Sequence, residues 1–323
     1  METSEEILKK LIKSEGYLSG ESLAEELNVT RAAVWKGIKR LESKGYKINS
    51  VKGGGYALLK ENAPLSAEII KSYAGGDEDI VIKSETRSTN DDAKKLALEH
   101  KGKTVVVVAE KQISGRGRFS RSFYSPEKRG IYMSVVLPVN AELDTAVRIT
   151  TFAGVAVARA IEKLSGLSVG IKWVNDLYVN GKKVCGILTE ASCDFELKKL
   201  DFAVCGIGVN VTGLDFPENI SDTATSIEKE SGKKIDRNEL IAEIIMNLRL
   251  VSDAVFTGEY LKEYKARSII LGKIVEVCGV CEKFTAKAVD FTDNGALVIE
   301  RNAKTEIVNS ADVSVKIQKG ESL

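Results

Sequence analysis

Ile7, Leu8, Leu11 and Ile12 recur at the three-to-four-residue spacing of one helix face, and the first sixty residues repeat that pattern twice more. Leu23, Ala24 and Leu27 follow Ser19, and Val34, Ile38 and Leu41 follow Thr30, each hydroxyl placed to cap a helix. Thr3 with Glu6 has the spacing of a capping box for the first helix. Asn28 and Gly45 are stop signals. Tyr46-Lys47-Ile48 and Tyr56-Ala57-Leu58 read as strands flanking Gly53-Gly54-Gly55. Three helices and a hairpin in this order predict a winged helix.

Beyond Glu61–Ser66, read as a linker, strands and helices mix. Thr104–Glu110 and Ile131–Leu137 are apolar runs of strand length, and Thr145–Leu164 is a long helix rich in Ala and Val. VGIKW, DLYV, KVCGILTE and DFAVCGIGVNV predict four more strands, with Asn180-Gly181 as a tight hairpin turn. Asp236 and Glu239 form a capping box for a helix ending near Phe256, and Tyr260–Ser268 continues helically. From Gly272 on, five short strands turn at Asp293-Asn294-Gly295 and Asn302-Ala303, the pattern of a small barrel. The fold class expected is α+β.

At 323 residues, two or three domains are expected. No run approaches the length of a membrane span, so no membrane partner is expected. The start, METSEEILKK, lacks the basic and apolar regions of a signal peptide, and cytoplasmic residence is expected. Lys and Arg (47) nearly balance Asp and Glu (46), which argues against a whole-protein polyanion binder but not against a local basic patch. The five cysteines read as reduced thiols. Cys278-Gly279-Val280-Cys281 has no second CxxC, and the one histidine, His100, is far away, so no zinc site is expected. His100 ends a helical pattern at the surface.

Three segments carry chemistry. On the third helix Arg31, Trp35 and Lys39, spaced by four, share a face distinct from the Val34/Ile38/Leu41 face. Lys36 and Arg40 flank it, and Lys44, Lys47 and Lys52 carry the charge toward the hairpin, the footprint of a helix read into a DNA major groove. The bland alternative is a solvated basic face. GRGRFSRSF (Gly115–Phe123) combines glycines, which let backbone approach a ligand, with Arg116, Arg118 and Arg121, suited to phosphate oxygens. Such a loop repels itself, so mobility is expected until an anion orders it. In Ile171–Glu190, Asn175 and Asp176 can bind an adenine or a magnesium ion, Lys183 is a point charge for acyl phosphate chemistry, and Gly186 admits a flat ligand.

GRGR, KWxNDL, the K-x-x-G-I-L strand and GIGVN, in this order after a winged helix, closely resemble the bifunctional biotin–protein ligase/biotin repressor family. The resemblance implies a winged helix-turn-helix DNA-binding domain over 1–62 and a mixed α/β ligase domain of the class II synthetase type over 63–270. A small SH3-like β-barrel would then occupy 271–323. It implies that biotin and MgATP give biotinyl-5′-AMP, that a lysine of a carboxylase's biotin-carrier domain then takes the biotin, and that a biotinyl-AMP-bound homodimer represses at operator DNA. Ser88-Thr89-Asn90 resembles the turn that binds the biotin rings. Gln112, Gly115, Arg116, Gly117 and Arg118 resemble the segment closing over biotin, and Lys183 and Gly186 also fall in that site. By the same resemblance Arg118, Arg121, Asn175, Lys183 and Asn210 contact nucleotide, and Gly206 and Gly208 supply close backbone. Asp176 stands near Mg²⁺ or the incoming lysine, and Lys183, Arg118 and Asp176 are the catalytic candidates. Val174, Ser120 and Phe123 depart from the Pro, Gly and Trp common at these positions. Two alternatives stay open: a lipoate-type ligase, and a ligand-sensing repressor without turnover.

Overall fold

The structure, a computed structural model, describes residues 3–14, 16–51, 53–60, 63–100, 102–142, 145–194, 199–213, 215–250, 257–279, 283–309 and 314–317. Lys52, Glu61, Phe256 and Cys281, each used above, lie outside the described residues. The chain divides into two compact units: residues 1–77 with 236–243, and residues 78–235 with 244–323.

In the first unit, α1 (Thr3–Lys13), α2 (Gly20–Glu26) and α3 (Arg31–Ser43) precede the hairpin of β1 (Lys47–Val51) and β2 (Gly55–Leu59). Ser19 accepts from Ser22 N at 2.9 Å and Thr30 from Ala33 N at 3.1 Å, so both expected caps form. Thr3, by contrast, already lies within α1, and Glu6 is engaged by Lys9 at 3.2 Å. The predicted stripes meet in one core of Ile7, Leu11, Leu23, Val34, Ile38 and Leu41. Gly37 lets α1 and α3 approach, since a Cβ there would stand 2.5 Å from Ile7 Cδ1.

Of the linker expected at Glu61–Ser66, the described part, residues 63–66, is packed. Ala63 and Leu65 are buried, and Ser66 caps α4 (Ala67–Ala74). The fully buried Asn238 side chain donates to the carbonyls of Ala63 (3.3 Å) and Pro64 (3.2 Å) and accepts from Ser66 N (3.0 Å). A polar, proline-bearing stretch looks like a spacer in sequence. Its backbone groups are instead matched by an amide 172 residues away.

The second unit holds a seven-stranded sheet, order β3-β4-β5-β9-β8-β7-β6, with β3 and β4 parallel and the other neighbours antiparallel. The strands are β3 (Asp79–Lys83), β4 (Val105–Ala109), β5 (Gly130–Glu142), β6 (Gly170–Lys172), β7 (Asp176–Val179), β8 (Lys182–Asp194) and β9 (Lys199–Asn210). All five residues of β4 are buried, which is why its sequence shows an apolar run and no alternation. Helix α5 (Thr89–Glu99) packs on β4, β5 and β9, and α6 (Thr145–Ser165) packs on β7, β8 and β9. Asn180-Gly181 turns β7 into β8 with φ of 48° and 76°, the left-handed pair such a turn needs.

After short helices α7 (Glu218–Ser221) and α8 (Ile227–Ser231) come α9 (Arg237–Arg249) and α10 (Tyr260–Ala266). Asp236 Oδ1 caps α9, accepting from Asn238 N at 2.7 Å and Glu239 N at 3.3 Å. The last five strands are β10 (Ile274–Cys278), β11 (Lys283–Phe291), β12 (Leu297–Arg301), β13 (Lys304–Val308) and β14 (Ser314–Ile317). They form a small antiparallel sheet ordered β13-β12-β11-β10-β14. It is fixed to the rest of the unit where Trp173 Nε1 donates to Gly295 O (2.9 Å) and Tyr264 meets Phe291 edge-on at 5.1 Å.

Among the described residues no helix is long and apolar enough to cross a membrane, and no acidic, His or Cys cluster could hold a metal. Cys185, Cys205 and Cys278 are free thiols. His100 caps the end of α5, its Nδ1 3.4 Å from Asp79 Oδ2.

Candidate active site

Ser88, Thr89 and Asn90 begin α5 and are all buried. Such polarity inside a protein must be matched by partners, and here it is. Gln112 Oε1 accepts from Thr89 N (2.9 Å), and Gln112 Nε2 donates to Ser125 Oγ (3.1 Å). Ser134 Oγ, on β5, lies 2.7 Å from Thr89 Oγ1 and 2.6 Å from Asn90 Oδ1. Asn90 Nδ2 donates to Glu190 Oε2 at 2.7 Å, and Lys94 pairs with the other oxygen of that carboxylate at 2.7 Å. Ser134 and Glu190 did not emerge from the sequence. The available signal was a lone serine inside the apolar run IYMSVVL, on a strand with no exposed face to excuse it.

Next to this network lies a floor of glycines. In the register of the sheet Asp176 faces Gly186, Gly186 faces Gly208, and Gly208 faces Tyr132. A Cβ on Gly208 would stand 2.5 Å from the Phe123 ring, and one on Gly186 would stand 3.0 Å from Lys183 Nζ. Gly206 also lines the cleft. Its missing side chain makes room for the Asn90 amide, whose Oδ1 would be 2.2 Å from a Cβ.

The Gly115–Phe123 loop forms the opposite wall. Gly115 O accepts from Phe123 N (2.8 Å) and Gly117 N donates to Arg121 O (2.7 Å), closing a compact turn. Phe119 and Ser120 sit at φ of 55° and 56°, so Ser120 occupies a backbone position that suits the glycine common there. Arg118 and Arg121 approach the Phe119 ring to 4.9 and 6.0 Å, and Arg116 makes a two-pronged ion pair with Asp91 at the start of α5. Burial pulls the Arg118 guanidinium below its ordinary pKa, while Asp176 pushes it back up.

Lys183 Nζ is 2.5 Å from Asp176 Oδ1. Asn175 Nδ2 donates to Ile187 O at 2.8 Å, and Tyr264 Oη donates to Val174 O at 3.1 Å. The Trp173–Val174 peptide is cis. Neighbouring Cys185 is completely buried, which pushes its thiol far up and keeps it protonated.

These walls enclose a cleft of about 240 Å³. All the ligand-contact residues expected from the sequence line it, except Gly115 and Asn210. Gly115 is packed under the loop, and Asn210 turns away to donate to Thr225 O at 3.1 Å. Arg116, Arg118, Arg121, Lys172 and Lys183 bring five cations into the lining, against one carboxylate, Asp176, among the described residues. Val315, on β14, also reaches the cleft, and nothing in its short strand pattern could have announced that.

In the first unit, Arg31, Trp35, Lys36 and Lys39 are exposed on α3. Trp35 leaves 54% of its surface to solvent, on a face distinct from buried Val34 and Ile38. A basic helix face carrying an exposed indole is suited to contact a nucleic-acid groove.

Three family models match in order: an HTH domain over residues 3–57, the biotin/lipoate A/B protein ligase family over 81–210, and a biotin protein ligase C-terminal domain over 270–316. The bifunctional ligase/repressor BirA of Bacillus subtilis is 33% identical over 309 residues, covering 93% of this chain and 94% of its own. The protein of the same description from Escherichia coli is 30% identical over 262 residues, covering 80% and 78%. Among solved structures, the Aquifex aeolicus biotin protein ligase in complex with biotin and ATP superposes with a TM-score of 0.64 at 28% identity. That match covers 74% of this chain and 99% of the other. The motifs, the fold and these relatives agree, and the chain belongs to the family of bifunctional biotin ligase/repressors.

Proposed function

We propose that the chain is an ATP-dependent biotin–protein ligase that forms biotinyl-5′-AMP in this cleft and also represses transcription through its winged helix. One observation carries the ligase reading: a single cleft joins a neutral, hydrogen-bonded pocket at Ser88–Asn90 to the cations Arg118, Arg121, Lys172 and Lys183 across a glycine floor. The uncharged bicyclic ring of biotin suits the first end, and its carboxylate with a nucleotide α-phosphate suits the second.

Biotin, bound by Ser88, Thr89, Asn90 and Gln112 under the Gly115–Arg118 turn, directs its carboxylate at the α-phosphorus of ATP. A carboxylate oxygen–phosphorus bond forms, the bond to the β-phosphate oxygen breaks, and pyrophosphate leaves. Arg118, Arg121 and Lys183 offset the charge gathering on the phosphoryl oxygens. Asn175 and Asn210 are assigned to the nucleotide. Because Asn210 lies outside the cleft lining, its assignment requires the base to reach the β9 end beyond Gly208. Mg²⁺ arriving with the nucleotide would be held by Asp176, the one carboxylate lining the cleft among the described residues, and would supply further neutralisation of phosphate charge. An amine of a biotin-carrier domain then attacks the acyl carbon and AMP leaves, with Asp176 orienting that amine.

In sequence, residues 1–62 are assigned to operator binding, 63–270 to ligase chemistry and 271–323 to the small sheet. Arg31, Trp35, Lys36 and Lys39 enter the major groove, and a homodimer formed with biotinyl-AMP reads two half-sites. The protein acts in the cytoplasm, where carboxylases and operator DNA meet it and its free thiols stay reduced. The test is incubation with labelled biotin, MgATP and a biotin-carrier domain, with lipoate as competitor. Transfer of label that lipoate does not suppress supports the ligase. Binding of biotin without any ATP-dependent adenylate would leave a ligand-sensing repressor. Sedimentation and operator binding, with and without a non-hydrolysable biotinyl-AMP analogue, test the dimer.

A further inference from the structure

Proton accounting in the network beneath the cleft leaves one consistent arrangement. The Glu190 carboxylate, paired with Lys94, is an acceptor only, so the Asn90 NH₂ group must face it. Asn90 Oδ1 then faces Ser134 at 2.6 Å and must receive the single Ser134 proton. Ser134 has none left for Thr89, yet the two hydroxyl oxygens are 2.7 Å apart, a contact that requires a proton between them. That proton is therefore Thr89's. Thr89's longer 3.1 Å approach to Gln112 Oε1 then carries no proton, because the hydroxyl has a single proton and the shorter contact to Ser134 takes it. The result is a one-way chain, Thr89 to Ser134 to Asn90 to Glu190, whose members polarise one another.

We propose that Glu190, acting through Asn90 and Ser134, is a positioning residue that fixes the Thr89 hydroxyl as a hydrogen-bond acceptor toward the cleft. The site thereby selects a ligand presenting an N–H at that point, as a cyclic urea does, over one presenting an oxygen. This rests on the reading of the cleft as a biotin site. Neither Glu190 nor Ser134 lines the cleft, so their effect is on direction and not on contact.

The test compares biotin with its two cyclic-carbamate analogues, in each of which one ureido N–H is replaced by a ring oxygen. Binding to the full-length protein is measured by calorimetry, and adenylate formation is measured with ATP. The wild type should prefer biotin over one of the two carbamates by about tenfold, the worth of one directed hydrogen bond. In Glu190→Gln, whose amide can donate, Asn90 is free to turn over. The preference should collapse, and KM for biotin should rise about tenfold with a much smaller fall in kcat. Glu190→Asp, which keeps the acceptor, should restore the preference. If Glu190→Gln does not fold, Ser134→Ala cuts the chain one link nearer the cleft and must lose the same preference. A preference retained in Glu190→Gln or in Ser134→Ala overturns the proposal. A wild type that binds no biotin and forms no adenylate would instead remove the functional reading itself.

Discussion

At the Ser88–Asn90 end of the cleft, Thr89, Ser134, Asn90 and Glu190 hold one another through contacts of 2.6 and 2.7 Å, deep between a helix and three strands. At the Arg116–Arg121 end, three guanidinium groups share a short loop whose turn places Phe119 and Ser120 in the left-handed region. The first region is fixed in direction by its own hydrogen bonds, because its polar groups orient one another. The second gathers charge of one sign and gains most when an anion arrives. A ligase that must first hold a neutral ring and then stabilise a charged transition state benefits from that division. The ring site is preorganised, and the phosphate site keeps its electrostatic potential for the step that develops charge.

The largest expected effect falls at the charged end. Lys183→Ala removes the cation that stands 2.5 Å from Asp176, inside the cleft and over the glycine floor. Loss of one preorganised charge contact is typically worth about 3 kcal/mol, so biotin-dependent pyrophosphate exchange should slow by about two orders of magnitude. The melting curve should change little, because the pair is partly open to solvent. Unchanged exchange would break the assignment of that end to adenylate chemistry.

The next prediction sets the two ends against each other with one kind of mutation. A Cβ at Gly206 would press on Asn90 Oδ1, which the network pins from both sides. A Cβ at Gly208 would press on the Phe123 ring, which hangs from the loop beside the cleft. Gly206→Ala should therefore cost about 1–3 kcal/mol in urea unfolding, the usual penalty for overpacking a site that cannot yield. Gly208→Ala should cost much less, since the ring can swing into the cleft, but should weaken biotin binding. Equal stability losses would mean that the two walls are equally rigid.

That contrast also marks what could be read before the structure. The helix caps at Ser19 and Thr30 and the turn at Asn180-Gly181 are local chemistry, and local chemistry is written in neighbouring residues. Lys183, Asn175, Asp176 and the arginine loop were legible because GRGR, KWxNDL, K-x-x-G-I-L and GIGVN occur together in one order, whereas any one of them alone would read as a polar hairpin or turn. Ser134 and Glu190 were not, because each matters only through the register that brings β5, β9 and β8 side by side under α5. The same dependence on distant partners governs two further segments. Ala63, Pro64 and Ser66 are tied to Asn238, and Asn210 donates its amide to Thr225 and lies outside the cleft lining.

The smallest effect concerns the Arg116–Asp91 ion pair, which ties the loop to the start of α5. Its two side chains are each 40% exposed, so the pair should contribute less than about 1 kcal/mol and should weaken in salt. The hydrogen bond from Arg116 holds the Asp91 carboxyl below its ordinary pKa. A depressed carboxylate stabilises the folded chain at pH values above its unfolded pKa of about 3.9, and that contribution fades as pH falls through the lower folded value. Asp91→Asn should therefore melt slightly below the wild type at pH 7, and the gap should close in acid below about pH 4. At neutral pH and low salt the variant's loop should be cut by trypsin after Arg118 and Arg121 up to about fivefold faster, because a tie of 1 kcal/mol shifts an opening equilibrium by that factor. High salt should erase the difference, since screening loosens the wild-type pair as the mutation does. A gap that does not narrow as the pH falls below about 4, or cleavage rates that never differ, would show that the loop is held by its own turn and not by this pair.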